Sequence, residues 1–187
     1  VSITLPLARA LASQGVRYND CIPSQALQLV PGNKVTTVRK NISTDRTIAM
    51  EPDINCFMQR SIGTSVAKCL YRVGIDLRDQ TLNQRACMTA ERFKRATVDL
   101  KNASNSVVLM PVFKLFPRDW FDLLALTRSE RGTFDDRTAI KEGRATWFEY
   151  NMLSSMGNGY TFEVESLLFY ATCIACGCPD YDTYVYG

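Results

Sequence analysis

Strand and helix patterns follow one another in this chain without strict strand–helix–strand alternation, which predicts an α+β fold. Three stretches support that prediction. A hairpin pattern runs from Leu27 to Pro52, an amphipathic helix pattern follows from Asp53, and a glycine turn, SSMGNG, opens a second apolar helix after Tyr160. The 187 residues are enough for one domain with a real core.

Composition narrows the function classes. With 46% apolar and 22% charged residues, the chain has the make-up of a soluble globular protein. A net charge of +3 permits an anionic partner without arguing for one. No apolar run approaches the roughly 20 residues that span a bilayer. The opening VSITLPLARALASQG lacks the basic start of a secretory signal and reads as an amphipathic segment. The chain begins with Val1 rather than Met and stops at Gly187 after an apparent strand, as expected of a piece of a longer protein. Seven cysteines, an odd number among apolar residues, fit a reduced cytoplasmic setting. Cys173, Cys176 and Cys178 supply only part of a zinc set, since structural sites want four ligands. The absence of histidine excludes Ser-His-Asp and Cys-His catalysis. No GxxxxGK[ST] occurs, which excludes a P-loop kinase.

In chain order, Pro31-Gly32-Asn33 turns into the strand KVTTV, Lys34 to Val38, and Arg46 to Met50 returns as its partner. Lys34, Arg39, Lys40 and Arg46 then share one hairpin. Such a cluster suits a triphosphate or an RNA backbone, and equally describes a solvated charged hairpin. Asp53 is expected to cap a helix to Val73 with Ile54, Phe57, Met58, Ile62, Val66, Cys69, Leu70 and Val73 on its apolar face. Gln80 to Lys94 reads as another helix. ATVDL, Ala96 to Leu100, reads as a short strand ending near Asp99. A carboxylate in that place can hold Mg²⁺, or cap the next helix. Ser104 to Leu115 is expected to be helical with a break at Pro111, and Pro117 to start a helix with Trp120, Leu123, Leu124 and Thr127 inward. Thr138 to Tyr150 reads as a hairpin around Glu142-Gly143, and Asp182 to Gly187 as a final strand.

The stretch from Ser154 to Phe169 organises the rest. Gly157 and Gly159 flank Asn158 and free the backbone for close approach. Tyr160, Val164, Leu167, Leu168, Ala171, Ile174 and Ala175 then mark one helix face, with Thr161 and Glu165 four apart on another. By itself this is a tight turn before a core helix, with a start that favours anions and polar ligands.

Four strings in order resemble the RNA-directed RNA polymerase of single-stranded RNA bacteriophages, the levivirus-type replicase catalytic subunit. TDRTIAMEPDIN (Thr44 to Asn55) is similar to the family's basic finger motif with its following Glu-Pro. TVDLKNASNS (Thr97 to Ser106) resembles the first metal motif, usually DLSSASDS. SSMGNGYTFEVES (Ser154 to Ser166) resembles MGNGxTFExES, and VYG (Val185 to Gly187) the start of YGDD. The resemblance covers Leu29 to Gly187.

The resemblance implies a right-hand polymerase, with fingers elements about 1–95 and palm elements about 96–187 in a single partial domain. It implies RNA-templated nucleotidyl transfer with two Mg²⁺ ions, on an RNA template and nucleoside triphosphates, in the cytoplasm of a bacterial host. Asp99 would be the catalytic metal ligand. Lys40 and Arg46, with Lys34 and Arg39, would steady the triphosphate. Gly157, Asn158 and Thr161 would form the nucleotide and template loop, and Glu165 would sense the ribose. Host translation elongation factors Tu and Ts are the implied partners. Two departures stand out. Lys101 and Asn102 replace two serines and Asn105 replaces an aspartate, and the chain ends where paired aspartates should follow. The chain alone is therefore expected to be inactive. A non-catalytic RNA- or nucleotide-binding fragment, and a related replicase of capsidless fungal RNA elements, are the competing readings.

Overall fold

A computed structural model describes residues 1–16 and 27–186, without the side chains of 137 and 138. Cys21 and the Gly187 of the VYG string lie outside the described residues. Strand β1 (Ser2–Thr4) leads into helix α1 (Leu5–Ser13) and pairs in parallel with β2 (Gln28–Val30). The expected hairpin is present as β3 (Asn33–Arg39) and β4 (Asp45–Met50), antiparallel with Val35 opposite Ala49 and Arg39 opposite Asp45. Its turn is tied by Asn41 Oδ1, which accepts from the Ser43 and Thr44 amides at 3.0 and 2.8 Å. Strand β5 (Arg131–Phe134) adds to β3 in parallel, and β6 (Phe148–Glu149) closes the sheet order β4-β3-β5-β6.

Helix α2 (Asp53–Arg72) follows the hairpin as expected, with two corrections. Pro52 takes the cap position. The Asp53 carboxylate instead accepts from the backbone N–H and hydroxyl of Ser2, at 2.8 and 2.9 Å, and so anchors β1. The buried stripe is Asn55, Gln59, Ile62, Gly63, Val66 and Leu70, whereas Phe57 is 72% exposed. Two amides occupy core positions because each meets polar backbone there. Asn55 accepts from the Thr4 N–H at 2.9 Å and donates to the Thr127 carbonyl at 2.9 Å; Gln59 donates to that same carbonyl at 2.9 Å.

Helix α3 (Thr81–Met88) is shorter than the expected Gln80–Lys94. Residues 96–100 form no strand, and Val98 is 78% exposed. A strand needs a ladder partner for its backbone groups, and among the described residues none pairs with this run. Lys94 and Asn102, both with positive φ (53° and 59°), turn the chain on either side of it. A 3₁₀ turn at Ser104–Ser106 precedes α4 (Leu109–Leu115), which accommodates Pro111 in its first turn; α5 (Arg118–Thr127) starts after Pro117 as expected. The expected hairpin from Thr138 to Tyr150 is instead α6 (Arg137–Lys141) followed by β6, whose partner is β5. The Asp136 carboxylate accepts from the Ala139 N–H at 2.9 Å and favours the helical start over a strand. Helix α7 (Thr161–Ala175) follows the glycine loop. The final expected strand is a 3₁₀ turn, Asp180–Asp182, and then irregular chain to 186, again without a ladder partner among the described residues.

The core lies between α2, α4, α5 and α7. Ile62, Val66 and Leu70 meet Val112, Leu124, Tyr160 and Val164 there, with Val107 and Leu153 beside them. At about 25 cal/mol per Å², each such buried aliphatic side chain contributes about 1.5–3 kcal/mol. The mixture of a four-stranded sheet with helices on this core agrees with the α+β class.

Candidate functional site

The glycine loop is gripped from two sides. The Ala49 N–H of β4 donates to the Met156 carbonyl at 2.8 Å, and the Gly159 N–H donates to Gln59 Oε1 of α2 at 3.1 Å. Gly157 has φ +114° and lies so close to Ala49 that a Cβ there would overlap the Ala49 carbonyl oxygen. The loop therefore joins the basic hairpin to the start of α7. Thr161 Oγ1 donates to the Ser155 carbonyl at 3.1 Å, and Asn158 Oδ1 accepts from the Tyr160 N–H at 3.1 Å, which folds the loop onto the helix start. The Tyr160 hydroxyl reaches the Leu124 carbonyl at 2.8 Å, and burial pushes its pKa up.

Around this junction are buried polar atoms without a hydrogen-bond partner: Ser154 Oγ, Ser155 Oγ, Asn158 Nδ2 and Glu165 Oε2. Asn158 and Glu165 are each 7% exposed. A buried polar group without a partner costs about 1–3 kcal/mol, so native structures keep few. Their concentration in twelve consecutive positions leaves unused hydrogen-bonding capacity at this junction. Burial also raises the Glu165 carboxyl above its ordinary value, which favours the protonated, hydrogen-bond-donating form.

A second polar knot supports the junction and was not singled out from sequence. Glu51, next after β4, accepts from Ser129 Oγ at 2.6 Å and from Asn33 Nδ2 at 3.0 Å, while the Tyr150 hydroxyl donates to Asn33 Oδ1 at 2.8 Å. Burial raises the Glu51 carboxyl, against the opposing pull of Ser129, Asn33, Gln59 and the Arg128 charge. Burial and the nearby Glu51 charge raise Tyr150 to about 12. The sequence signal for this knot was the Glu-Pro after the hairpin and the amide pair Asn55 and Gln59, four apart on the buried stripe of α2.

The basic residues are less concentrated than the sequence suggested. Lys34, Arg39, Lys40 and Arg46 are all exposed on the hairpin. The register places Lys34 opposite Met50 and Arg46 opposite Val38, on the face away from Val35 and Ala49, whereas Arg39 shares the Val35 face beside Asp45. Four pair positions separate Lys34 from Arg46, about 13 Å at the usual strand rise. Lys40 lies at the tip, where its N–H donates to the Thr44 carbonyl at 3.0 Å. One ligand group therefore meets at most part of this set. Lys34 instead lines a 610 Å³ cleft with Glu51, Asp135 and Trp147.

Asp99 stands exposed on irregular chain, rather than at the end of a buried strand. Among the described residues, no three His, Cys, Asp or Glu side chains converge as metal ligands. Mg²⁺ is held by one or two carboxylates only with substrate phosphates and water. The residues present do not by themselves fit a two-ion centre. The contact between α7 and the 3₁₀ turn Ser104–Ser106 does place the string containing Asp99 beside the glycine-loop helix.

A hairpin with its basic residues exposed, a clamped glycine loop and a helix start with unfilled polar valences are thus joined in one place. The sequence profile of the family described as RNA replicase, beta-chain matches residues 3–187. The chain belongs to that family. It is 46% identical over 142 residues to the RNA-directed RNA polymerase subunit beta of Qbeta virus (strain MX1), covering 75% of this chain and 23% of that protein. It is 36% identical over 167 residues to the RNA-directed RNA polymerase beta chain of Enterobacteria phage fr, covering 88% and 29%. It is 38% identical over 157 residues to the beta chain of Escherichia phage MS2, covering 83% and 27%. The chain thus spans about a quarter of the length of the curated relatives it matches. No helix among the described residues is long and apolar enough to cross a membrane.

Proposed function

We propose that this chain is part of an RNA-directed RNA polymerase that copies a phage RNA genome in a bacterial host, and that it supplies fingers and palm elements of a right-hand fold. The observation that carries the reading is the cluster of buried, unpartnered polar atoms at Ser154, Ser155, Asn158 and Glu165, in and after a loop held by the hairpin and α2. A ribose or base edge offers hydroxyls and amides to partner them. Glu165 Oε2 can meet a ribose hydroxyl, and Asn158 Nδ2 can donate to a carbonyl or phosphate oxygen. Gly157, Asn158 and Thr161 form the loop, and Lys40 and Arg46, with Lys34 and Arg39, draw the anionic substrate by charge.

The reaction is nucleotidyl transfer: an RNA 3′-hydroxyl attacks the α-phosphate of a nucleoside triphosphate, and pyrophosphate leaves. Asp99 would be one carboxylate holding a divalent metal ion, which would supply charge neutralisation in the assembled enzyme. Because no three candidate metal ligands converge among the described residues, the 187-residue chain is proposed to bind RNA or nucleotide without synthesis. Elongation factors Tu and Ts belong to the same reading as partners, to be tested by co-purification.

The test uses a chimera in which this sequence replaces the region it matches in the Qbeta polymerase subunit. Asn158→Ala and Glu165→Gln should each weaken discrimination between ribo- and deoxyribonucleoside triphosphates. Unchanged discrimination in both would remove these polar groups from substrate recognition.

A further inference from the structure

The Arg95 guanidinium engages groups distant in sequence. Nε donates to Asp182 Oδ1 at 2.7 Å and a second nitrogen lies 2.6 Å from the same oxygen. A third reaches Thr89 Oγ1 at 3.4 Å, and the group stands 4.8 Å from the Phe93 ring centre and 5.6 Å from that of Tyr184. Both partners of the ion pair are about three-quarters shielded, at 25% and 31% side-chain exposure. The segment it grips, 182–186, has no ladder partner among the described residues. Its far end rests on α7, where Tyr186 meets Phe162 edge-on at 5.1 Å. The segment on Arg95's own side, 96–100, also lacks a ladder partner among the described residues. Two irregular runs are thus joined at one guanidinium, four residues before Asp99.

We propose that Arg95 is a positioning residue that fixes 182–186 relative to the Asp99 run, so that both present to substrate as one unit. The role rests on the reading of Asp99 as the catalytic carboxylate. Lysine cannot reproduce it, because stacking on Phe93 and Tyr184 while donating twice to one carboxylate needs a planar, forked cation.

The experiment pairs hydrogen exchange on this chain with steady-state RNA synthesis by the Qbeta chimera. Arg95→Ala and Arg95→Lys should both speed exchange at the amides of 183–186 and leave α2 protected, which shows that the fold persists. In the chimera both should lower kcat at least about tenfold with KM for the nucleotide nearly unchanged, as expected for a misplaced group. Asp182→Ala should do the same, and the double substitution should be no worse than either single one. Unchanged exchange at 183–186, or an unchanged kcat, overturns the proposal. Asp99→Ala run alongside separates the two readings. If it leaves synthesis intact, the catalytic reading falls and the positioning role with it. If it abolishes synthesis while Arg95→Ala does not, the positioning role alone falls.

Discussion

Gly157 shows at a single residue how local sequence and distant packing agree. Its φ of +114° is closed to side-chain-bearing residues, and the Ala49 carbonyl fills the space where a Cβ would go. Gly157→Ala should destabilise the chain by at least about 1–3 kcal/mol from backbone strain alone, read by urea unfolding. Glu165 makes the opposite kind of statement. Its folded carboxyl is held above the ordinary value of 4.5 by burial, so the folded state keeps a proton that the unfolded state has released. Stability therefore falls as pH rises from about 4.5 through the raised folded value, and stays lower above it. Glu165→Gln should flatten that fall and make the chain more stable than the parent at pH 7, measured by thermal unfolding across pH. Equal pH slopes in both proteins would contradict a buried, unpaired carboxyl. The turn at the MGNG stretch and the helix after it were legible in sequence, because glycine spacing and helix phase are local. That its polar atoms are buried and unfilled was not, because burial depends on what packs above.

Among the elements, α2 best shows where pattern reading succeeds and slips. Its length was legible to within one residue of the expected end at Val73, and Ile62, Val66 and Leu70 were placed on the right face. Phe57, Cys69 and Val73 were not, since they are exposed, and the core phase instead holds Asn55 and Gln59. Hydrophobicity reads those amides as surface; only the backbone groups of Thr4, Thr127 and Gly159 explain them. Gln59→Leu should cost about 1–3 kcal/mol, because the Gly159 N–H would lose its acceptor. The same substitution should loosen the glycine loop, seen as faster exchange of that amide. The run 96–100 erred in the other direction. Its β-rich composition predicted a strand, but a strand exists only with a partner. Lys94, at φ 53°, bends the chain into that run at a conformational cost of about 1 kcal/mol. Lys94→Gly should recover up to about that amount in a urea titration, and a loss of stability would show that the corner is not strained.

Over the whole molecule, the hairpin, the glycine loop and α7 form one connected framework through Ala49, Met156, Gly159 and Gln59. Four ordered strings in the sequence pointed to a phage RNA polymerase, and membership of the replicase beta-chain family agrees over residues 3–187. The spread of Lys34, Arg39, Lys40 and Arg46 over two hairpin faces was legible only once the register was known. In the proposed function this framework serves templated nucleotidyl transfer through Asp99. The most direct measurement is nucleotide incorporation on an RNA template by the Qbeta chimera with and without Asp99→Asn, alongside RNA binding by both. The parent chimera should incorporate nucleotide, the variant should lose at least about a thousandfold on removal of a catalytic charge, and RNA binding should be unchanged in both. Incorporation by the Asp99→Asn chimera at the parent rate would contradict that function.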